Sequence, residues 1–184
     1  PMDRREALAL TSSLLGVTLV GTSVFLGGCE VPKKKRARLT AEDIPRLNAM
    51  CDVILPESAH SPGAGDAQVG TFMLTIVSDC YTEEEESVFV SGLRKMEEQL
   101  KVLYGKSFRE LDQGEQLKVL TEYDARAREF EKEEKPYFYS MVLQLAIWGY
   151  FISEPGATKA LRYNPNPGRF EGCVPYREGD KAWA

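Results

Sequence analysis

The side chains that most often carry out catalysis are few in this chain, and their spacing matches no catalytic motif. The only histidine, His60, stands in a loop rich in Pro and Gly, and there is no Gly-x-Ser-x-Gly elbow to present a nucleophilic serine. Segment 62–66 contains two glycines but lacks the preceding strand and the spacing of a nucleotide-binding loop. None of the 28 acidic residues has the context of a glycosidase carboxylate pair. We therefore predict no catalytic and no cofactor-binding residue in this chain.

Metal ligands are equally sparse. The four cysteines, at positions 29, 51, 80 and 173, form no Cys-x-x-Cys pair, and one histidine cannot complete a zinc or haem site. The acidic run 83–86 lacks oxygen ligands at the spacing of a calcium loop. We interpret it as the first turn of a helix, and we predict no metal site.

Composition is that of a soluble globular protein of one domain. The chain has 184 residues, of which 43% are hydrophobic and 28% are charged. Its net charge of −5 argues against nucleic acid as the main partner, because a phosphate backbone demands a basic surface.

Residues 1–29 are predicted to be an export signal. Arg4 and Arg5 precede an apolar run at 14–26 and resemble a twin-arginine start. The run is shorter than the roughly 20 residues of a membrane-spanning helix. It ends in Leu-Gly-Gly-Cys, which resembles a lipoprotein box with Cys29 as the site of lipid attachment. The alternative interpretation is a short N-terminal membrane helix with an incidental cysteine.

Residues 30–39 are predicted to be a basic linker. Five positive charges lie between positions 33 and 38, directly after the apolar run, and by the positive-inside tendency they oppose export. Because an arginine-pair signal is read by a receptor, we keep the export interpretation and expect the linker to lie near anionic lipid headgroups. The predicted location is periplasmic, with the chain anchored to the inner or the outer membrane.

Residues 40–154 are predicted to be a helical domain, whose first two helices flank the loop 56–68. Apolar residues recur at three- and four-residue steps from Ile44 to Leu55. This helix starts either at Thr40, with a capping box to Asp43, or at Asp43, with Pro45 in its first turn. The second helix carries an inward stripe of six residues: Val69, Phe72, Met73, Ile76, Val77 and Cys80.

Capping signals predict three more helices. One opens at the capping box of Thr82 and ends at Gly105, the next opens at Asp112, and the last begins at Pro136. The fourth helix is expected to turn Leu117, Leu120 and either Tyr123 or Asp124 inward. The apolar residues of the fifth are interpreted as core: Tyr137, Phe138, Met141, Val142, Leu145, Trp148, Tyr150 and Phe151. Since no strand-like alternation of useful length appears, the predicted fold is all-α, an irregular bundle of about five helices.

Residues 155–184 are predicted to form an extended C-terminal docking arm. Four prolines and four glycines disfavour helix and sheet there. The arm is nevertheless rich in aromatic residues, and such side chains are buried either against the helices or against another protein. The predicted interface residues are Tyr163, Phe170, Cys173, Tyr176 and Trp183.

A set of short motifs resembles the gluconate 2-dehydrogenase subunit 3 family over residues 40–184. These motifs are Asp52-Val-Ile-Leu-Pro56-Glu57, Pro62-Gly63-Ala64, Ala67-x-Val69, Gly149-Tyr150-Phe151 and Ser153-Glu154-Pro155-Gly156-Ala157. The resemblance implies a non-catalytic small subunit of a membrane-associated, FAD-dependent sugar or sugar-acid dehydrogenase.

The resemblance also implies the partners. A large subunit of the glucose–methanol–choline oxidoreductase type would hold FAD and oxidise the sugar, and electrons would pass to a cytochrome c or a quinone. The small subunit would stabilise the large one and carry it, folded, through the twin-arginine route. The alternative function is a free-standing periplasmic lipoprotein that binds a ligand or acts as a scaffold.

The three cysteines after the signal would face an oxidising periplasm. Cys51 and Cys80 both lie on apolar helix stripes, where they either pair as a disulfide or are buried as small hydrophobic residues. Cys173 lies in the arm, and we expect it to meet the catalytic partner, with an inter-subunit disulfide as the hypothesis.

Overall fold

The computed structural model describes residues 37–184, except residues 60, 133, 134, 167, 170, 171 and 184 and the side chain of residue 131. The predicted export signal with Arg4, Arg5 and Cys29, and most of the predicted linker, lie outside the described residues. The predicted interface residue Phe170 also lies outside them.

Five α-helices lie in the described part of the chain. They are α1 (Ile44–Ile54), α2 (Val69–Asp79), α3 (Glu83–Tyr104), α4 (Gln113–Glu131) and α5 (Phe138–Ile152). Short 3₁₀ turns at Ala41–Asp43 and Phe108–Glu110 and a π-helical turn at Gly156–Ala160 complete the order. The described residues contain two isolated β-bridges and no named strand. The all-α prediction is confirmed.

The predicted caps set the ends of the helices. Thr82 accepts a hydrogen bond from the Glu85 amide at 3.3 Å, and the Glu85 carboxylate accepts one from the Thr82 amide at 2.9 Å. Helix α3 ends at Gly105, whose φ of +66° is a left-handed conformation that glycine adopts without strain. Asp112 caps α4 through the Glu115 amide at 2.8 Å. These local hydrogen bonds explain why both ends of α3 and the start of α4 could be predicted.

Both predicted starts of α1 occur, one after the other. The Asp43 carboxylate accepts the Thr40 amide at 2.9 Å, which closes the 3₁₀ turn. Asp43 is also the N-cap of α1, with Pro45 at its second position. Pro fits there because the first helical amides have no partner within the helix.

The central helix is α5, which packs against each of the other four. Its inward side chains meet a core in which several large residues are fully buried: Leu47, Met50, Met73, Phe89, Leu93, Met96, Phe108 and Leu145. Close packing requires glycine at Gly92 of α3, because a Cβ atom there would lie 2.4 Å from Cβ of Phe138. The core thus holds α5 at a short distance from α3.

One inward assignment in α4 and one in α5 were wrong. Leu117 is 57% exposed, because the first turns of α4 face the body through the half-buried Gln116, whose amide donates to the Phe108 carbonyl at 2.9 Å. Trp148 is 49% exposed; it meets Phe72 edge to face, with ring centroids 5.2 Å apart, but its outer part reaches solvent. In both cases the apolar periodicity predicted which face of the helix points inward. It could not predict how much of that face a neighbouring helix covers.

A buried ion network joins α1 to α3 and was not foreseen. The Arg46 guanidinium pairs with the Asp43 carboxylate and lies 3.6 Å from that of Glu97. Glu97 also accepts a long hydrogen bond, 3.4 Å, from the Phe108 amide. Because Asp43 and Glu97 are both buried, the single arginine compensates two carboxylates that would otherwise be left without a cation.

Candidate interaction site

The loop that follows α1 is fixed by contacts to the helix it leaves. Asp52 in α1 accepts a hydrogen bond from the Gly65 amide at 2.6 Å, and the Ala64 amide donates to the Leu55 carbonyl at 3.0 Å. A Cβ atom at Gly65 would lie 2.2 Å from an Asp52 carboxylate oxygen, so a side chain there would displace the carboxylate that accepts the Gly65 amide. Ala64, in the middle of the loop, is fully buried.

Helix α5 holds the same loop from the other side. The Tyr150 hydroxyl donates to the Pro62 carbonyl at 2.8 Å and also contacts the Ser61 hydroxyl. The preceding residue, Gly149, lets α2 approach, since a Cβ atom there would lie 2.5 Å from the Phe72 ring. Tyr150 therefore ties the loop to the centre of the bundle.

The chain then turns sharply at the end of α5. The Ser153 hydroxyl donates to the Tyr150 carbonyl at 2.6 Å and accepts the Gly156 amide at 3.2 Å. Gly156 is buried directly against the Tyr150 carbonyl, where no side chain fits. This turn starts the segment Gly156–Ala160, which was predicted as the beginning of the arm and instead is a helical turn packed on α5.

Four of the five motifs quoted above therefore meet in one place, and Val69 of the remaining motif lies beside Gly149, where a Cβ atom would stand 3.1 Å from the Val69 side chain. Asp52, the loop residues, Gly149, Tyr150 and the turn at Ser153 act together to hold the loop 56–68 and to direct the chain into the arm. Each has a structural task based on hydrogen bonding or close packing. The motif residues form a structural junction, which sequence spacing alone could not reveal because they lie about 90 residues apart.

A depression beside this junction is lined by polar groups. It has a volume of about 430 Å³ and is lined by Glu57, Ser58, Ala59, Ser61 and Pro62 of the loop and by the lysines Lys159 and Lys181. The Lys181 ammonium donates to the Lys159 carbonyl, so it fastens the arm to its base. The neighbouring residue His60 lies outside the described residues, and no structural role is assigned to it.

A second, smaller hollow lies between α3, α4 and the start of α5. It has a volume of about 240 Å³ and contains Tyr123, whose hydroxyl donates to Gln99 at 2.7 Å and whose ring lies 5.3 Å from the Arg126 guanidinium. Burial, more than the neighbouring Tyr137, raises the pKa of Tyr123.

The described residues contain no cluster of potential metal ligands. Among them, no three His, Cys, Asp or Glu side chains stand close enough to hold a metal ion. In the same part of the chain, no helix is both long and apolar enough to cross a membrane.

The structure does not pair Cys51 with Cys80. Cys51, Cys80 and Cys173 are free thiols; Cys51 is fully buried in α1, whereas Cys80 ends α2 on the surface. Burial, with a smaller contribution from Asp52, raises the pKa of Cys51 to about 12. Of the two alternatives, the structure has Cys51 as a buried hydrophobic residue, while the inward assignment of Cys80 was wrong. Cys173 is exposed in the arm.

The described aromatic residues of the arm do not pack into the helices. Tyr163 is 56% exposed, Tyr176 is 77% exposed and Trp183 is 49% exposed. Near the end of the chain the arm returns to its base, where the Arg162 amide donates to the Ala182 carbonyl at 2.7 Å. The Arg162 guanidinium lies 4.2 Å from the centre of the Trp183 ring. We call this closure, formed by Arg162, Ala182 and Trp183, the clasp.

Helix α5 exposes a second apolar surface. Ile147, Trp148 and Ile152 are each more than two fifths exposed and lie on neighbouring positions of the helix. We call these three residues the α5 stripe. Exposed apolar surfaces of this kind mark contacts with other proteins when they are contiguous.

Fold and site together define a small helical protein that holds a loop and an arm in place and presents apolar side chains on its surface. The family model described as gluconate 2-dehydrogenase subunit 3 matches residues 41–168, and the chain belongs to this family. The family is that of an accessory subunit of a dehydrogenase complex. No curated protein and no solved structure matches the chain.

Proposed function

We propose that this chain is the non-catalytic small subunit of a periplasmic, FAD-dependent sugar or sugar-acid dehydrogenase complex. The observation that carries the proposal is the family match over residues 41–168. In this proposal FAD and the oxidation of the substrate belong to a large flavoprotein subunit of the glucose–methanol–choline type. A cytochrome c subunit would accept the electrons.

The surface of the chain supports a role in assembly. The described aromatic residues of the arm and the α5 stripe expose apolar area that a free monomer would leave in water. Interfaces commonly place such aromatic side chains at their centre. The chain would stabilise the flavoprotein by binding to its folded form, because any partner that binds only the folded state shifts the folding equilibrium toward it.

Export completes the proposal. Arg4 and Arg5 would direct the assembled complex through the twin-arginine route, which accepts folded cargo, and Cys29 would anchor it through a lipid. One chain would therefore supply both the export signal and the stabilising contact for its partner.

Co-expression with a candidate large subunit tests the proposal. A tagged full-length chain should capture a yellow protein that shows flavin absorbance and sugar-dependent dye reduction, whereas the chain alone should show neither. The control replaces Arg4 and Arg5 by Lys, which should leave the captured complex intact but keep it in the cytoplasm. Recovery of a lone chain that binds no flavoprotein would contradict the proposal and favour a free-standing lipoprotein.

A further inference from the structure

We propose that the hollow between α3, α4 and the start of α5 binds a small organic acid that combines a carboxylate with a flat apolar body. We call it the Tyr123 hollow, after the tyrosine that it contains. The inference goes beyond the proposed function: it concerns a ligand of this chain alone and does not depend on a flavoprotein partner.

The first argument is that the hollow has fixed apolar walls. Tyr123 and Phe138 are buried and meet edge to face, with ring centroids 5.3 Å apart. Glycine at Gly92 lets α3 approach them, since a Cβ atom there would lie 2.3 Å from the Phe138 ring. Tyr137 stacks on Phe130, with centroids 4.7 Å apart. Rings that are already packed lose little side-chain entropy when a ligand binds.

The second argument is the set of polar groups that line the hollow. The Tyr123 hydroxyl donates to the Gln99 side-chain oxygen at 2.7 Å, which leaves the NH₂ group of that amide as a donor. Lys95 and Arg126 also line the hollow, and their charged ends can only donate. None of the described carboxylates lines it. The free polar groups are therefore mainly donors, and a ligand must supply the acceptors.

The third argument is charge. Within the described part of the chain, neither Lys95 nor Arg126 forms an ion pair. The Arg126 guanidinium instead lies 5.3 Å from the centre of the Tyr123 ring. Such a contact uses the face of the guanidinium and leaves its N–H edge free to bind a carboxylate through two parallel hydrogen bonds. Glu122 affects the Tyr123 pKa less than Arg126 does, and it does not line the hollow.

Size and surface narrow the class of ligand. The volume of about 240 Å³ is below the range of about 300 to 1,000 Å³ that is typical of pockets for drug-sized molecules, so the ligand is small. An inorganic anion would make no use of the apolar walls formed by Val88, Tyr137 and Phe138. A neutral aromatic molecule would leave the two cations without a counter-charge. An aromatic carboxylate satisfies both features.

An NMR titration of the purified full chain with benzoate tests the inference. We expect saturable shifts of amide signals within residues 88–99 and 123–126. Benzamide, which has the same shape without the charge, and inorganic phosphate, which has charge without the ring, should each bind at least about tenfold more weakly. Arg126→Gln should weaken benzoate binding by about tenfold, since it removes a charge-assisted pair of hydrogen bonds, and Lys95→Gln by roughly threefold.

The matched controls are Arg94→Gln in α3 and Lys118→Gln in α4. Both residues are exposed cations that do not line the hollow, so the benzoate Kd should change by less than about twofold. All four variants should keep the circular dichroism and the unfolding midpoint of the wild type, because each replaces an exposed side chain. Absence of saturable shifts, equal binding of benzamide or phosphate, or controls that weaken binding as much as Arg126→Gln would overturn the inference. None of these results would affect the proposed function, which is tested by capture of a flavoprotein.

Discussion

The helical body and the arm use the same kinds of side chain in opposite ways. In the body, Phe89 and Phe108 are fully buried, and Arg46 compensates two buried carboxylates. In the arm, Tyr176 is largely exposed, and Arg162 stacks on an indole ring that is itself half exposed. The comparison shows that an aromatic or charged side chain stabilises the fold only where other elements cover it. The exposed side chains of the arm can instead contact a partner.

Thiol chemistry gives the largest expected difference between the two regions. Because burial raises the pKa of Cys51 to about 12 from its ordinary value of 9.0, the thiolate fraction of Cys51 at neutral pH is about a thousandfold lower than that of an ordinary thiol. In a chain with Cys29 replaced by Ser, a thiol reagent should quickly modify Cys173 and Cys80, and Cys51 only after denaturation. Mass spectrometry of the labelled peptides measures this, and rapid native labelling of Cys51 would contradict the burial.

Aromatic truncation is the next contrast. Phe89→Ala should lower the free energy of unfolding by about 3 to 5 kcal/mol, because it removes a fully buried ring and leaves a cavity. Tyr176→Ala should change it by less than about 0.5 kcal/mol. Urea unfolding followed by circular dichroism compares the two. A large loss in the arm variant would mean that the arm is part of the core.

Removal of an arginine should also lower the free energy of unfolding more in the helical body than in the arm. Arg46→Ala leaves the buried carboxylates of Asp43 and Glu97 without a cation, and we expect a loss of about 3 kcal/mol. Arg162→Ala removes one exposed cation–π contact and should cost less than about 1 kcal/mol. The same urea experiment measures both. Equal losses would show that the ion network contributes no more than a surface contact.

A smaller effect is expected where helices approach closely within the body. Gly149→Ala places a Cβ atom 2.5 Å from the Phe72 ring and should cost about 1 to 3 kcal/mol through overpacking. The matched control is Gly114→Ala in the first turn of α4, where the nearest atom would lie at 3.3 Å. That change should be neutral or slightly stabilising, because alanine favours helix. A tolerated Gly149→Ala in thermal unfolding would disprove the close approach.

The smallest effect concerns a surface cap and depends on pH. Hydrogen bonds from the Thr82 amide and hydroxyl lower the pKa of Glu85 below its ordinary 4.5. The stability that the Glu85 carboxylate adds to the folded state is therefore present above pH 4.5 and is lost as the pH falls through the lower pKa of the folded state. Thermal unfolding from about pH 7 to about pH 3 should show a gap between wild type and Glu85→Gln that closes in this window. Glu178→Gln in the arm is the control, and a gap that persists at low pH would exclude the carboxylate as its source.

Local signals were enough to predict most of the helical body. The capping boxes at Thr82 and Asp112, the stop at Gly105 and the apolar stripes of α1 and α2 involve residues within a few positions of each other. Such bonds form wherever the local sequence allows them, so they could be identified without knowledge of the partners. Leu117 and Cys80 were misassigned because the helix period defines a face but not how much of that face is covered.

The junction at Tyr150 shows where local signals stop. Its motifs carried the family resemblance, but their tasks depend on contacts such as that between Tyr150 and Pro62, which are 88 positions apart. The clasp likewise joins Arg162 to Trp183, and the Pro and Gly content of the arm predicted only that regular structure would be disfavoured. Sequence spacing alone cannot predict which distant residues come into contact.

By itself, the sequence determined the all-α class, both ends of α3 and the start of α4, because these follow from hydrogen bonds and apolar periodicity within short segments. Its short motifs carried the resemblance to the family. The predicted start of α5 at Pro136 was two residues early, since the helix begins at Phe138. Only the tertiary structure decided that Cys51 is buried while Cys80 is exposed, that Asp43, Arg46 and Glu97 form one ion network, and that the arm closes on its own base. Burial and long-range pairing are properties of the packed chain, since each depends on elements that the sequence places far apart.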